Sequence, residues 1–193
     1  EHPVQNWIDY SDDQKGLCII NHGLPGNNVV NDVATLSLLR SVAFEYKGVS
    51  EGGFGENIPH TFHYFIIPFL KNDPEYQPWN HGSEVNNPLI ARVVHKTFGE
   101  LPRKNSFMRV EPSNVVLSAF TQNDEHVLVR VYEAKGEKTE CTIRTPLPFS
   151  GAVVVDCLDR EIEDAKIETS NNAIKFNISP FEIKTIRLGA SSY

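Results

Sequence analysis

Short runs of β-branched and aromatic residues recur along this chain, separated by clusters of Gly, Pro, Asn and Asp. Such runs favour extended backbone and such clusters favour turns, so the pattern predicts an all-β protein. The runs of the first part are Val4–Tyr10, Leu17–Asn21, Val33–Ser41 and His60–Phe69. Those of the second part are Phe107–Val110, Val115–Thr121, His126–Ala134, Lys138–Thr145, Ala152–Leu158, Ala173–Ile178 and Phe181–Leu188. The close spacing of the second set is typical of a small, immunoglobulin-like β-sandwich.

A linker-like segment divides the chain into two predicted domains. Residues 99–107 (GELPRKNSF) combine Gly, Pro and a polar, charged run before a new apolar run begins. We therefore place the first domain at residues 1–103 and the second at residues 104–193. In the first domain, His60–Phe69 is apolar on both strand faces, which predicts a strand of a large sheet that is covered on both sides.

Several other segments carry local predictions. Residues 21–28 (NHGLPGNN) should form a loop, and the four glycines of residues 48–57 should make a mobile surface loop. Residues 72–87 should be irregular, with room for one helical turn. Residues 87–98 (NPLIARVVHKTF) fit either a helix or a strand, and their β-branched content favours a strand. In Phe181–Leu188 the apolar positions change phase, which suggests a bulge or a strand that changes partner.

Composition and charge exclude several classes of partner. Hydrophobic residues make up 40% of the 193 residues, charged residues make up 22%, and the formal net charge is −7 without a run of like charges. Such a surface repels the phosphates of nucleic acids and anionic lipids. No apolar stretch approaches the roughly 20 residues needed to cross a bilayer. We therefore expect neither nucleic acid nor a membrane as a partner.

The cysteines indicate a reducing compartment. Cys18, Cys141 and Cys157 are odd in number, far apart, and each lies within an apolar or alternating run. This pattern favours reduced, buried thiols in the cytoplasm over a disulfide framework. The chain begins with Glu1 rather than Met, and a strand-like run follows almost at once, which suggests a piece of a longer protein.

The spacing of acids and bases does not predict a self-contained catalytic or metal centre. His60 and His63 are three apart, so on a strand they would point to opposite faces and could not chelate one ion together. The carboxylate pairs lie in turn-like polar segments, where solvated turn chemistry is favoured over acid–base catalysis. These pairs are Asp12 with Asp13, Asp159 with Glu161, and Glu163 with Asp164. The chain has no nucleophile elbow, phosphate loop or dinucleotide fingerprint.

The aromatic residues offer a sugar-stacking platform as one alternative and core packing as the other. The candidates are Trp7, Tyr10, Tyr64, Tyr76 and Trp79. Trp7 and Tyr64 lie in predicted strands, where core packing is favoured. Trp79 lies in an irregular polar stretch and is the better candidate for an exposed or interfacial role.

Arg40 raises a separate question. With the period of two that a strand imposes, Ala34, Leu36 and Leu38 share one face with Arg40, so a guanidinium ends a row of residues that should be buried. Burying an unpaired cation is costly. Either the strand leaves the core before Arg40 and the guanidinium group reaches water, or the guanidinium group binds an anionic or hydroxyl-rich partner.

Several longer stretches resemble glycoside hydrolase family 38, the retaining α-mannosidases. The similar stretches in the first part are HPVQNWIDYSDDQKGLCIINHGLPGNNV, LSLLRSV, PHTFHYFIIPF and NNPL. In the second part, VLVRVYEAKGE and PFEIKTIRL resemble the terminal β-sandwich of these enzymes. The similarity runs along essentially the whole chain in the order that the family has.

The resemblance implies a fold and a division of labour. Residues 1–103 would be the closing part of a galactose-mutarotase-like supersandwich, and residues 104–193 the terminal small β-sandwich. In the family, an N-terminal α/β barrel supplies the nucleophile, the acid/base and the zinc ligands. The pattern of that barrel is absent here, so the resemblance implies no catalytic residue and no metal ligand in this chain. The fragment alone is expected to be inactive and to hold no zinc.

For Arg40, the resemblance implies a role in binding substrate. In similar enzymes an arginine of the C-terminal region approaches the sugar site, and Arg40 occupies the matching position in the LLRS motif. The implied partners are the catalytic barrel of the same polypeptide and a mannose-containing carbohydrate, with a homo-oligomer also open. The alternative is a free-standing β-sandwich module that binds carbohydrate or protein without enzymatic activity. A gene with nothing upstream of Glu1 except a start codon would favour that alternative.

Overall fold

The computed structural model describes residues 2–39, 59–95, 98–100, 102–122, 126–170 and 172–190. It divides into two compact units, residues 1–93 and residues 94–193. Apart from one short helix, the regular elements of these described residues are β-strands, so the prediction of a mostly β protein is confirmed. The boundary predicted at residue 103 falls inside the second unit, and the domain assignment stays a prediction. No described helix has the length and apolar character that a membrane crossing requires.

The first unit contains two small antiparallel sheets and the helix. Its elements are β1 (His2–Pro3), β2 (Trp7–Ser11), β3 (Lys15–Asn21), β4 (Gly26–Val30), β5 (Val33–Leu36), β6 (Tyr64–Leu70) and α1 (Pro78–Asn86). One sheet has the order β1-β4-β5 and the other β2-β3-β6. Cys18, Ile20 and Phe69 form the core of the second sheet, on the face that α1 covers.

Helix α1 packs closely on β2 because one of its residues lacks a side chain. Gly82 is buried, and a Cβ at this position would lie 2.9 Å from the ring of Trp7. The helix begins at Pro78, whose fixed φ and missing N–H suit a first helical position. It runs for nine residues, longer than the single turn expected from the sequence. Packing of Trp79 and Gly82 therefore outweighs the low helix propensity of the segment.

The second unit is a β-sandwich of two four-stranded antiparallel sheets. Its strands are β7 (Arg109–Glu111), β8 (Val115–Gln122), β9 (His126–Glu133), β10 (Thr139–Arg144), β11 (Phe149–Val155), β12 (Glu168–Ser170), β13 (Ala173–Ile178) and β14 (Ile183–Ala190). The sheet orders are β12-β13-β10-β7 and β11-β14-β9-β8. Alternate residues of both sheets meet in one buried cluster, which includes Val129, Ile143, Ile174 and Ile186. The predicted small β-sandwich is thereby confirmed.

Several local predictions for the first unit are wrong. Strand β4 lies partly within the predicted loop of residues 21–28. Propensity did not indicate this strand, because Gly and Asn are rare in strands. Strand β6 begins only at Tyr64, and one of its faces is exposed rather than covered. Residues 88–95 are neither strand nor helix, since none of the described strands pairs with them. Residues 48–57 lie outside the described residues.

In the second unit the change of phase in residues 181–188 arises neither from a bulge nor from a change of strand partner. The register of β14 with β9 is unbroken from Ile183 to Gly189. Ile183 lies on the outer face with 68% exposure, and Phe181 precedes the strand with a φ of 56°, which together explain the change of phase. The irregularity that does occur is on the other neighbour, in β11 between Phe149 and Ala152.

Two of the three cysteines match the prediction. Cys18 and Cys141 are fully buried free thiols, and burial raises the pKa of both, that of Cys141 to about 12. Such thiols are poor nucleophiles because the thiolate is scarce at neutral pH. Cys157 is exposed in the turn after β11, so the prediction of burial is wrong for this residue.

Candidate functional site

Arg40, the residue predicted to bind substrate, lies outside the described residues. Strand β5 ends at Leu36, short of the predicted end at Ser41. Ala34 and Leu36 are half-buried and alternate with exposed neighbours, as expected for a strand, but Leu38 is 41% exposed. The face formed by Ala34, Leu36 and Leu38 therefore leaves the core at Leu38, two residues before position 40.

Two buried asparagines lie next to this region. Asn21 and Asn27 are at most 1% exposed, and their Oδ1 atoms have no hydrogen-bond partner among the described residues. Their Nδ2 groups donate to the carbonyl oxygens of Val4 (3.4 Å) and Pro25 (3.2 Å). These two carbonyl groups belong to adjacent backbone, since the N–H of Val4 donates to the oxygen of Pro25. The loop predicted at residues 21–28 thus holds two buried amides close together.

The most highly coordinated side chain of the second unit is Glu133, at the end of β9. Its carboxylate is 1% exposed and accepts five hydrogen bonds. The donors are the side-chain amide of Asn114 (2.8 Å) and the backbone N–H groups of Lys135 (2.8 Å), Gly136 (2.7 Å), Glu137 (3.2 Å) and Phe181 (3.1 Å). We call these six residues the Glu133 cluster. A carboxylate has about four lone-pair positions, so the group is saturated.

The Glu133 cluster joins three separate parts of the sandwich. Asn114 precedes β8, and its Nδ2 also donates to Thr139 Oγ1 (2.8 Å) on β10. Gly136 lies in the β9–β10 turn with a φ of 80°, directly beneath the ring of Phe181. A saturated, buried carboxylate has no free position from which to exchange a proton with a substrate. We therefore assign it a structural role rather than an acid–base role.

The same geometry explains the two motifs quoted from the second part of the sequence. In VLVRVYEAKGE, Glu133 and Gly136 form the cluster, and Arg130 Nε donates to Thr185 Oγ1 (2.9 Å). In PFEIKTIRL, Phe181 supplies a donor and Thr185 the acceptor. Residues of the two motifs thus form hydrogen bonds with each other.

Sequence reasoning missed Glu133, although a signal for it was present. Val129, Val131 and Glu133 share the inner face of β9, so a charge ends a row of buried residues. That is the pattern which drew attention to Arg40. At Glu133 the structure shows the outcome, a charge that stays buried because donors surround it.

A second group of charges links the turn after β11 to two neighbouring strands. His126 Nε2 lies 2.7 Å from Asp159 Oδ2, and Arg187 Nη1 lies 3.2 Å from Asp159 Oδ1. Arg187 also approaches Glu161 Oε2 at 3.5 Å. Asp159 has a φ of 63°, a left-handed conformation that Asp tolerates in turns. The pair Asp159 and Glu161 thus lies in a turn, as predicted, but it also forms ion pairs that the spacing did not indicate.

The other carboxylate and histidine predictions have mixed outcomes. Asp12 Oδ1 accepts the backbone N–H groups of Gln14 (2.7 Å) and Lys15 (2.8 Å), so its turn role is confirmed. His60 and His63 precede β6 instead of lying within it, so the argument about strand faces does not apply to them. Among the described residues, no group of three or more His, Cys, Asp or Glu side chains could hold a metal ion.

The predictions for the aromatic residues are right for Trp7 and wrong for two others. Trp7 packs against the core cluster of the first unit, as predicted. Tyr64, predicted to be in the core, is 48% exposed, and Trp79, predicted to have an exposed or interfacial role, is 6% exposed within the first unit. Tyr76 stacks on Phe69 with ring centroids 3.7 Å apart. The five rings therefore do not form one sugar-stacking platform.

Comparison with known proteins supports the family resemblance. Residues 114–186 match the model of the glycosyl hydrolases family 38 C-terminal β-sandwich domain. Over 191 residues the chain is 28% identical to α-mannosidase 2C1 of Mus musculus and 25% identical to α-mannosidase 2C1 of Homo sapiens. Each alignment covers 96% of this chain and 18% of the relative, so the chain spans less than a fifth of the length of these proteins.

Solved structures show the same fold. An α-mannosidase from Enterococcus faecalis V583 superposes with a TM-score of 0.75 at 19% identity, over 97% of this chain and 21% of that protein. A glycosyl hydrolase family 38 protein from Enterococcus faecalis superposes with a TM-score of 0.72 at 18% identity, over 96% and 22%. Residues 114–186 are thus similar to the glycosyl hydrolases family 38 C-terminal β-sandwich domain, in a chain that is distantly similar to α-mannosidase 2C1.

Proposed function

We propose that this chain is the C-terminal β portion of a retaining, zinc-dependent α-mannosidase that hydrolyses terminal α-mannosides. Its role is to support the fold and to complete the substrate cleft, while the catalytic barrel lies elsewhere in the same polypeptide. The observation that carries the proposal is the alignment of 191 residues with α-mannosidase 2C1, of which this chain corresponds to 18%.

The described residues do not fit a zinc site. Zinc in proteins takes three or four converging His, Cys, Asp or Glu ligands. No group of three such side chains that could hold a metal ion is found among the described residues, and the carboxylate of Glu133 is already saturated. We therefore assign no zinc ligand and no chemical step of mannoside hydrolysis to this chain.

An exposed apolar sheet face supports a role as part of a larger protein. On the side of the β2-β3-β6 sheet that faces away from its core, the cross-strand register brings apolar side chains next to one another. They include Tyr10, Leu17, Tyr64, Ile66 and Leu70, with exposures from 38% to 66%. Contiguous apolar surface of this kind marks an interaction site. We assign its coverage to the part of the family 38 protein that has no counterpart in this chain.

Arg40 is the residue that we propose to contact substrate. A guanidinium presents five donors in a planar fork and can hold several sugar hydroxyls, or a carboxylate of the barrel, at once. Leu38 and Leu39, the last described residues before Arg40, are 41% and 50% exposed, so the chain has left the core before that position.

The test compares turnover of an aryl α-mannoside by the 193-residue chain and by the longest product of its gene. We expect hydrolysis only from the longer protein. In that protein, Arg40→Ala should lower kcat/KM by about tenfold or more, because hydrogen bonds from a charged group are lost, with little change in Tm. The matched control is Arg92→Ala, which removes an exposed arginine from residues 88–95 and should leave both quantities unchanged.

Each arm has a result that contradicts the proposal. Turnover by the purified 193-residue chain would place the chemistry inside it. A gene product without a barrel would favour the free-standing module. Parallel losses of Tm and kcat/KM in Arg40→Ala would give Arg40 a structural role instead of a contact with substrate.

A further inference from the structure

A groove in the second unit collects positive charge. It has a volume of about 670 Å³, within the range of small-molecule sites. Its lining includes Lys104, Asn105, Ser106, Arg109, Arg144 and Asn172. These residues come from the segment before β7, from β7 itself, from the end of β10 and from the turn before β13. We call this the basic groove.

The two arginines of the basic groove are directly opposite each other. The register of β10 with β7 pairs Arg144 with Arg109. Their neighbours Ile143 and Val110 belong to the core, so both arginines lie on the outer face of the sheet. Like charges in directly opposed positions of an antiparallel pair destabilise the sheet. An anion bound between the two guanidinium groups would remove that repulsion.

The described contacts leave much of this charge uncompensated. Glu111 Oε2 lies 3.8 Å from Arg144 Nε, and both side chains are at least half exposed, so this ion pair is weak. Lys104 adds a third positive charge to the groove. The chain as a whole has a net charge of −7, so the basic groove differs in sign from the average surface.

The chemistry of the lining selects an oxyanion. Arginine forks form paired hydrogen bonds with planar or tetrahedral oxyanions, and lysine adds a point charge. The side-chain amides of Asn105 and Asn172 can donate to further oxygens or accept from sugar hydroxyls. Three cations suit a dianion better than a monoanion, and a phosphate monoester carries a charge of about −1.5 to −2 at neutral pH.

We propose that the basic groove, built on the opposed pair Arg109 and Arg144, binds a phosphate group. The phosphate is either free or the monoester of a sugar. The groove lies wholly within the second unit, so this inference goes beyond the mannosidase proposal and does not depend on it.

The test is a calorimetric titration of the 193-residue chain with inorganic phosphate, a hexose 6-phosphate and the unphosphorylated hexose. We expect saturable binding of both phosphates and none of the plain hexose. Tighter binding of the ester identifies a sugar phosphate as the ligand, and equal binding identifies free phosphate. The double variant Arg109→Gln/Arg144→Gln should weaken phosphate binding at least about tenfold, because two charged donors are lost.

Lys138→Gln/Lys166→Gln is the matched control, because it removes two exposed positive charges that do not line the groove. It should leave phosphate affinity unchanged. If the arginine double variant does not fold, Lys104→Gln, which changes no strand, should still weaken binding. No saturable phosphate binding, equal weakening by the control pair, or equal affinity for the plain hexose would each overturn the proposal.

Discussion

The carboxylate of Glu133 is both buried and charged. Burial by itself would raise its pKa, but hydrogen bonds from Phe181, Asn114, Lys135 and Gly136 outweigh this effect. The pKa of Glu133 therefore lies below the ordinary glutamate value of 4.5. A depressed pKa in the folded state means that the charged form stabilises the fold.

We predict that Glu133→Gln lowers the free energy of unfolding by about 2–4 kcal/mol at pH 7, because a neutral amide turns N–H groups toward buried N–H donors. The contribution of the charge is complete above pH 4.5 and is lost as the pH falls through the lower folded-state pKa. Urea unfolding between pH 7 and pH 3 should therefore show the difference between wild type and variant shrinking with acidification.

Glu137→Gln provides the control for this prediction. The side chain of Glu137 is 61% exposed and forms an ion pair with the exposed Lys135, so its loss should have little effect. Equal destabilisation by the two substitutions, or a difference that grows on acidification, would show that the Glu133 cluster does not stabilise the fold through its charge.

At the scale of elements, the β9–β10 turn depends on a glycine. We predict that Gly136→Ala lowers the free energy of unfolding by about 1–3 kcal/mol. Its φ of 80° disfavours any residue with a Cβ, and that Cβ would lie 2.7 Å from Cζ of Phe181. Thermal and urea unfolding measure the loss.

The matched control for the turn is Gly151→Ala in β11. Gly151 has no positive φ, and a Cβ there would meet no atom within 4 Å. Its replacement should change stability by no more than about 0.5 kcal/mol. If both alanine variants lost the same stability, the contact between Gly136 and Phe181 would not be the cause.

The strands predicted best from sequence are those in which the pattern of apolar and polar residues matches the pattern of buried and exposed positions. In β13 the residues Ala173, Ile174, Phe176 and Ile178 are buried, and the predicted bounds match those observed. Strand β4 could not be predicted, because its Gly-Asn-Asn start has low strand propensity and pairing with β1 and β5 decides its conformation. Helix α1 is likewise decided by packing, through Trp79 and Gly82.

At the scale of the whole molecule, the exposed face of the β2-β3-β6 sheet distinguishes two adjacent residues. Ile66 is 54% exposed on that face, whereas Ile67 packs against the core cluster of the same sheet. We predict that Ile66→Lys leaves Tm nearly unchanged, while Ile67→Lys costs about 2–4 kcal/mol, because it places a charge against the core.

Paired melts of the two lysine variants test this assignment of faces. Size-exclusion chromatography at several concentrations adds a second readout, in which Ile66→Lys should reduce any self-association of the chain. Strong destabilisation by Ile66→Lys would mean that this face is covered within the chain itself.

Sites whose residues are distant in the sequence could not be predicted from the sequence. The basic groove combines Lys104, Arg109, Arg144 and Asn172, whose separations carry no motif and whose proximity arises from the pairing of β7 with β10. The Glu133 cluster likewise joins residues 114, 133 and 181. Family resemblance indicated which stretches matter, but only the strand register shows what they contact.

The residues of the Glu133 cluster are far apart in the sequence, and this separation determines when the cluster can form during synthesis and folding. Its nearest donors are two to four positions away, but the N–H of Phe181 is 48 positions away and arrives only when nearly the whole sandwich has been synthesised. Until then the carboxylate lacks that donor, and a chain truncated before residue 181 would also lack β14, the strand that pairs with β9 along its length. Completion of the sandwich is thus coupled to the late closure of a long loop, which favours the finished domain over its shorter intermediates.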